Sequence, residues 1–314
     1  MYGSFLVLFA LMATGYFLAK RRIFNDETSH AMNKFVVYFA YPCLVVQKIS
    51  TLEMEKTLFM DFLITVVLST ALLYLYHAIS YLYGKARKFP RENANVAEFA
   101  MTSPNDGFMG FPIALLFYGE KGLLFMLAHN AALNLYFYTL GVTMLKRNQK
   151  DKTQFGFLSV SKFLAKLMLN PNIVALITGL LLCGLHVSMP QPLNDYLLYI
   201  GNVATPMAMI YIGTSLSKSN LFDILKDKLI IESSLVKLVW LPVLTFLIVL
   251  PLPLSDLIKI TCIVGACYPT AAMVPILAEQ AGQDPVLGSR ILFLSTALSA
   301  LTIPLAIQLL GLFI

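Results

Sequence analysis

The fold is decided by the stretch SPNDGFMGFP, residues 103–112, which lies in the middle of an otherwise apolar run. Proline removes a backbone donor and clashes with the preceding turn, and glycine loosens the backbone. A straight helix is therefore not expected, and the predicted helix breakers are Pro104, Gly110 and Pro112. Irregular backbone inside a bilayer is tolerated only where it lines a cavity or is buried in protein.

The composition places this stretch in a membrane protein. The 314 residues are 58% hydrophobic and 13% charged, with a mean hydropathy of +0.74. A water-soluble chain of this length could not bury so many apolar side chains in one core. Uncharged runs such as 3–19, 122–145 and 291–314 are each long enough to cross about 30 Å of hydrocarbon as a helix, which satisfies its own backbone groups.

We predict an all-α membrane protein with ten transmembrane helices and the N-terminus outside. The predicted spans are 3–20, 34–50, 57–84, 97–118, 122–145, 167–187, 196–217, 229–250, 257–279 and 288–313. In this topology nearly all basic residues fall in inner loops, as the positive-inside rule requires. Of the 23 lysines and arginines, the outer side keeps only Lys48, Lys56, Lys121 and Lys259.

An offset of 164 residues relates the two halves of the chain. It sets Gly15 against Gly179 and Pro42 against Pro206. Five spans separate the copies, an odd number, so the second copy enters the membrane from the opposite face. We predict two inverted five-helix repeats, 1–145 and 167–314, joined by a short cytoplasmic linker, 146–166. A chance match among apolar residues is the alternative.

Span nine contains the matching disruption, GACYPTAAMVP, residues 265–275. Its prolines are Pro269 and Pro275, and the same offset sets Asn105 against Pro269. Two broken helices at corresponding positions of inverted halves should cross near the midplane, where half-helix N-termini present partial positive charge to an anion. We predict a substrate site at this crossover. The alternative is that the prolines merely kink packed helices.

The predicted substrate-binding residues at the crossover are Asn105, Asp106, Gly107, Pro269 and Thr270. Asn105 offers amide donors to a carboxylate or, alternatively, caps the broken half-helix. Asp106 lies near mid-membrane, where a carboxylate is costly and usually functional. It is either the site of proton or sodium coupling or a structural cap.

Span five carries a further polar pair, Asn130 and Asn134, which lie one helical turn apart with His129 adjacent. We expect them either to line the cavity as substrate-binding residues or to hold the bundle through interhelical hydrogen bonds. Near the inner end of span eight, Lys237 and Trp240 are predicted to be interface anchors.

The pattern N-x-G-x-x-G-x-P, formed by Asn105, Gly107, Gly110 and Pro112, resembles the auxin efflux carrier family, which includes plant PIN carriers and bacterial malate and malonate permeases. The resemblance covers nearly the whole chain. It implies a fold like that of the NhaA antiporter and the bile-acid transporters, with a scaffold of spans one, two, six and seven. Spans three to five and eight to ten then form a moving transport domain. Elevator-type alternating access, an anionic substrate at the crossover and a homodimer are also implied. Asp106 departs from the family, in which an uncharged residue is usual.

These patterns predict a secondary transporter that moves a small organic anion, a carboxylate, across the plasma membrane, with proton or sodium coupling. An uncoupled anion channel or pore is the alternative that the same broken helices permit. No enzyme activity is expected, because the chain lacks H-E-x-x-H, G-x-S-x-G and paired aspartates at membrane depth. The partners are a small organic acid and the lipid bilayer. No cofactor, metal site or nucleic-acid partner is predicted, since the four cysteines lack metal-ligand spacing and the basic residues lie in short loops.

Overall fold

The computed structural model describes residues 2–53, 55–147, 169–217 and 224–313. Within these ranges the backbone is helical apart from turns and short connections, and no β-strand occurs. Five helical stretches there are long and apolar enough to cross a membrane, and they are Lys56–Ala86, Asp106–Leu145, Gln191–Leu216, Lys228–Val249 and Pro285–Leu310. This confirms the predicted all-α membrane protein.

The helices are numbered here from the N-terminus. In chain order they are α1 (Tyr2–Lys20), α2 (Asp26–Phe35), α3 (Tyr41–Ser50), α4 (Lys56–Ala86), α5 (Arg91–Thr102), α6 (Phe111–Tyr136), α7 (Val142–Leu145), α8 (Pro171–Gly184), α9 (Gln191–Leu216), α10 (Lys228–Leu235), α11 (Leu241–Val249), α12 (Asp256–Cys267), α13 (Met273–Gln280) and α14 (Pro285–Leu310). Short π-helical segments connect some of them, namely π1 (Val36–Ala40), π2 (Asp106–Gly110), π3 (Phe137–Gly141) and π4 (Val236–Trp240).

Local sequence explains where several helices begin and bend. Asn170 caps α8 and Asp227 caps α10, because each side chain accepts hydrogen bonds from backbone N–H groups of the first turn. Gly119 has φ 63° and kinks α6 between the predicted fourth and fifth spans. The predicted linker, 146–166, lies outside the described residues except for its first two positions.

The chain divides into two compact units. Unit 1 comprises Met1–Asp61, Gly107–Leu127 and Phe155–Lys218, and unit 2 comprises Phe62–Asp106, Ala128–Gln154 and Ser219–Ile314. All four predicted scaffold spans belong to unit 1, which also takes in residues 57–61 of span three, 107–118 of span four and 122–127 of span five. The rest of spans three to five and all of spans eight to ten belong to unit 2.

Glycines bring pairs of helices together within unit 1. A Cβ on Gly15 of α1 would lie 2.0 Å from the carbonyl oxygen of Ile210 on α9. A Cβ on Gly179 of α8 would lie 2.9 Å from the Cβ of Ile49 on α3. Small residues of this kind allow helix backbones to approach closely in membranes. Gly15 and Gly179, the residues paired by the 164-residue offset, thus each bring an α-helix against one from the other half of the chain.

Ion pairs tie helix ends together within unit 2. Arg87, just beyond α4, donates to Glu232 on α10 at 2.5 Å. Arg147, just beyond α7, donates to Glu98 on α5 at 2.7 Å and lies over the ring of Tyr81 at 4.9 Å. Such partly exposed pairs add little stability. They fix how the ends of α4, α5 and α10 meet, and so they help to hold the helices that carry the candidate site.

Candidate functional site

Two interrupted helices meet within unit 2. The first interruption, residues 103–105, separates α5 from π2, and the second, residues 268–272, separates α12 from α13. An isolated antiparallel bridge joins Pro104 to Thr270 across them. The sequence predicted both interruptions and their meeting, since each contains a proline in an apolar run.

Backbone hydrogen bonds hold the two interrupted segments together. The N–H of Asn105 donates to the carbonyl of Pro269 at 2.8 Å, and the N–H of Ala271 donates to the carbonyl of Ser103 at 2.8 Å. These bonds satisfy groups that lost their helical partners, which a buried segment requires. The segments cross at Asn105 and Pro269, the pair set against each other by the 164-residue offset.

Thr270 is held in place by two hydrogen bonds, one from its backbone N–H and one from its side chain. Its N–H donates to Oγ of Ser295 on α14 at 3.1 Å, and its hydroxyl donates to the carbonyl of Ala100 on α5 at 3.1 Å. The residue is fully buried. Both donors of Thr270 are therefore used to join three elements, which makes it a positioning residue in this structure. Ser295 was not predicted to lie at the crossover, because nothing in α14 marks which of its hydroxyls faces it.

A buried charged cluster lies beside the crossing. Asp106, the first residue of π2, is 1% exposed, and its Oδ2 accepts a hydrogen bond from Nδ1 of His129 on α6 at 2.8 Å. The other oxygen, Oδ1, is buried and has no hydrogen-bond partner among the described residues. Lys237 on π4 is 0% exposed, donates from Nζ to the carbonyl of Ala266 at 3.2 Å, and is attracted by the charge of Asp106.

The burial of Lys237 corrects the prediction that it anchors the membrane interface. Its side chain faces into unit 2 and ends at the C-terminal turn of α12, where helix carbonyls favour a cation. Trp240, three residues later, is 65% exposed. The sequence does indicate this burial, because Lys237 lies inside the apolar predicted span 229–250. An ionisable residue buried in a membrane protein is usually functional.

The position of the His129 imidazole depends on Gly265 as well as on Asp106. A Cβ on Gly265 of α12 would lie 2.9 Å from Nε2 of His129 and 3.1 Å from the neighbouring ring carbons. The absence of a side chain at Gly265 therefore leaves room for the ring edge that bears Nε2.

The remaining predicted site residues lie in varied settings. Asn105 is 3% exposed, and Gly107 on π2 has no atom within 4 Å of where a Cβ would stand. Nδ2 of Asn134 donates to the backbone carbonyl of Asn130 at 2.8 Å and to its Oδ1 at 3.0 Å. These two asparagines are thus bonded to each other along α6.

Three of the predicted helix breakers lie within helical segments. Gly110 is the last residue of π2, Pro112 the second of α6, and Pro275 the third of α13. Proline is tolerated in the first turn of a helix because the N–H groups there have no intrahelical partner. Pro112 and Pro275 therefore follow the interruptions, whereas Pro104 and Pro269 lie inside them.

Unit 1 contains a separate cavity of about 540 Å³. It is lined by α1, α3, α6 and α9, with Leu8, Leu44, Leu116, Asn202 and Thr205 among its residues. The lining has no charged side chain and is mostly apolar. It offers an anion less than the crossover, beside which Lys237 and His129 are buried.

Comparisons of the sequence with known proteins identify related membrane transporters. The sequence model of a family described as "Membrane transport protein" matches residues 1–307. The chain is 27% identical over 305 residues to a Rhizobium meliloti protein named "Putative malonate transporter", covering 96% of this chain and 93% of that protein. It is 22% identical over 302 residues to an "Uncharacterized transporter" of Methanothermobacter thermautotrophicus, covering 96% and 95%. With the "Uncharacterized transporter YfdV" of Escherichia coli it shares 29% identity over 121 residues, 38% of each chain.

Proposed function

The chain belongs to the membrane transport protein family, the auxin efflux carrier family that its sequence resembles, and we propose that it is a secondary transporter for a small organic carboxylate. The substrate binds at the crossover of the two interrupted helices. That the protein is a membrane transporter rather than an enzyme follows from the family. The carboxylate, its site and the transport mechanism are the proposal.

The observation that carries the proposal is the crossing of Asn105 and Pro269 beside a buried charged cluster. Interrupted helices that meet in pairs are how many secondary transporters build a site deep in the membrane. A carboxylate needs donors and positive charge to replace its water. Near the crossing, Asn105 carries an amide and the buried Lys237 carries an ammonium, which are groups of these two kinds. Asp106 balances Lys237 when no substrate is bound.

Malonate is the first substrate to test, because the name of the Rhizobium meliloti relative refers to it. Malonate is small, so one of its carboxylates can bind at the crossover while the other remains bound to water. Malate and simple monocarboxylates complete the panel, since an amide-lined site supported by helix ends accepts each of these classes.

The proposed architecture is ten spans arranged as two inverted five-helix repeats, with the N-terminus outside the plasma membrane. The equivalent close approaches of Gly15 and Gly179 support it, because a pseudo-two-fold relation places equivalent residues in equivalent contacts. The crossing of Asn105 with Pro269, at the same offset, supports it as well.

The proposed mechanism is elevator-type alternating access by a homodimer. In it, unit 2 carries the crossover across the membrane while the predicted scaffold helices of unit 1 stay in place. The grouping of those scaffold helices into one compact unit supports this division of labour. Asp106 is the proposed point at which transport is coupled to H⁺ or Na⁺, since a buried carboxylate in a membrane protein is costly and usually functional.

Counterflow in proteoliposomes tests the proposed function. Vesicles loaded with unlabelled malonate should transiently accumulate labelled malonate above equilibrium, and the initial rate should saturate with concentration. Asn105→Ala should lower this rate at least tenfold, whereas Asn33→Ala on α2 should leave it unchanged. Non-saturating flux without counterflow would instead establish the channel alternative. No counterflow of any acid in the panel would refute carboxylate transport.

A further inference from the structure

We propose that His129, Asp106 and Lys237 form a proton-exchange site in which the proton that travels with the substrate binds Nε2 of His129, and that this site excludes Na⁺. The inference rests on the proposed transport function and specifies the ion and the residue that carries it.

The charges of the cluster balance when the imidazole is neutral. The titratable groups that face its members are Asp106 on π2, His129 on α6, Lys237 on π4 and Cys267 at the end of α12. With Asp106 ionised, Lys237 protonated and Cys267 a neutral thiol, the cluster carries no net charge. One further proton makes it positive, which is the charge that favours a carboxylate beside it.

The geometry identifies the nitrogen that takes the proton. A carboxylate only accepts hydrogen bonds, so the Nδ1 that lies 2.8 Å from Oδ2 of Asp106 carries the hydrogen in the neutral ring. The lone pair of the neutral ring is then on Nε2. That edge of the ring packs against Gly265, whose missing side chain leaves room for the ring. A proton that binds Nε2 leaves the bond to Asp106 intact.

The same arrangement disfavours sodium. Na⁺ needs several oxygen ligands, and of the two oxygens of Asp106 one, Oδ2, already accepts from His129, which leaves Oδ1 as the carboxylate ligand. The fully buried Lys237 has no acceptor atom and repels a second cation in a region where little water screens the charges. Its ammonium is in turn held at the carbonyl of Ala266, close to the negative end of α12.

Proton binding and carboxylate binding therefore reinforce each other. Lower pH on the side that the site faces should raise the affinity for malonate, because protonated His129 adds a positive charge. Malonate carries two negative charges at neutral pH, so its entry with one proton moves net negative charge. A monocarboxylate that enters with one proton moves none.

The test uses proteoliposomes that contain a pH-sensitive dye and a potassium-valinomycin voltage clamp. In the wild type, malonate uptake should acidify the lumen and should proceed equally well with Na⁺ or choline outside. The apparent KM for malonate should rise at least twofold between pH 6.5 and pH 7.5. In His129→Gln, which takes no proton, KM should no longer depend on pH and acidification should be lost. His77→Gln is the matched control, because His77 bonds to the hydroxyl of Tyr136 instead of to a carboxylate, and it should keep the wild-type pH profile.

Different results overturn different claims. If the wild type performs malonate counterflow without acidification, or requires Na⁺, the proton-exchange site is wrong while carboxylate transport stands. If it performs no counterflow, the proposed function fails, and the proton site fails with it. Should His129→Gln not fold, Gly265→Ala provides the second variant, since its Cβ displaces the Nε2 edge of the ring. An unchanged pH profile in either folded variant contradicts the assignment of the proton to His129.

Discussion

Nδ1 of His129 lies 2.8 Å from Oδ2 of Asp106, although only 2% and 0% of the two side chains are exposed. Burying a carboxylate is costly even when it is hydrogen-bonded, and stability alone would be served as well by apolar residues. The pair also lies next to the crossing of two interrupted helices, where the backbone lacks regular helical hydrogen bonds. Both features are typical of a site where a ligand or an ion binds.

The charge of Asp106 is predicted to create the ion dependence of transport. Asp106→Asn keeps an acceptor for His129 but removes the negative charge, so the cluster with Lys237 is positive without an added proton. Because protonated His129 loses the negative charge beside it, the KM for malonate should rise at a lower pH in this variant than in the wild type. Asp256→Asn, at the exposed start of α12, is the control. A variant with the pH response of the wild type would retire the coupling role of Asp106.

Lys237 is predicted to be needed for stability because it neutralises Asp106. Lys237→Met removes the buried cation that the charge of Asp106 attracts, and a buried carboxylate that loses a nearby positive charge destabilises the fold. Thermal unfolding in detergent should therefore show a clear drop in Tm. Lys228→Met, with a side chain 81% exposed on the same helical stretch, should change Tm little. If Asp106→Asn is added to Lys237→Met, part of the lost stability should return; strict additivity of the two changes would contradict the pairing.

The two interface glycines of unit 1 are predicted to be equally intolerant of a side chain. Gly15→Ala puts a Cβ against a carbonyl of α9, and Gly179→Ala puts one against Ile49 of α3. Overpacking of this kind costs about 1–3 kcal/mol. Gly184→Ala is the control, because nothing lies within 4 Å of its Cβ position. Equal Tm values for all three variants would show that the helices do not approach as closely as described.

The hydroxyl of Thr270 is predicted to position the crossover. Thr270→Val keeps the side-chain shape but removes the hydrogen bond to the carbonyl of Ala100, which is worth about 1 kcal/mol. The initial rate of malonate transport per folded protein should fall, because the crossing segment loses its link to α5. Thr70→Val removes a bond within one helix and should leave the rate unchanged. Identical rates for both variants would contradict a positioning role.

The sequence was sufficient to predict the interruptions because their causes are local. Pro104 and Pro269 lie in apolar runs, and a proline there disturbs the helix whatever surrounds it. The pairing of Asn105 with Pro269 could also be predicted, since the 164-residue offset depends only on spacing. Local chemistry does not decide which prolines begin a new helix, and for that reason Pro112 and Pro275 were assigned to the breaks.

Only part of the charged cluster could be predicted from the sequence, because its members come from distant segments. Asp106 was recognised from its depth in an apolar span, but its partners lie 23 and 131 positions further along the chain. Lys237 was interpreted as an interface anchor, since the sequence does not show which way its helix faces in the packed structure. His129 was noticed only as a neighbour of Asn130. Tertiary packing brings these side chains together.

The central claim, that a carboxylate binds at the crossover, is tested most directly by protection of a cysteine placed there. Gly107→Cys is suitable, because nothing lies within 4 Å of its Cβ position. In a variant without the four native cysteines, malonate should slow labelling of Gly107→Cys by a small anionic thiol reagent at least fivefold, and sulfate should not. Labelling of Gly184→Cys should be unaffected by either. Equal labelling rates at Gly107→Cys with and without malonate, in protein that shows malonate counterflow, would contradict a carboxylate site at the crossover.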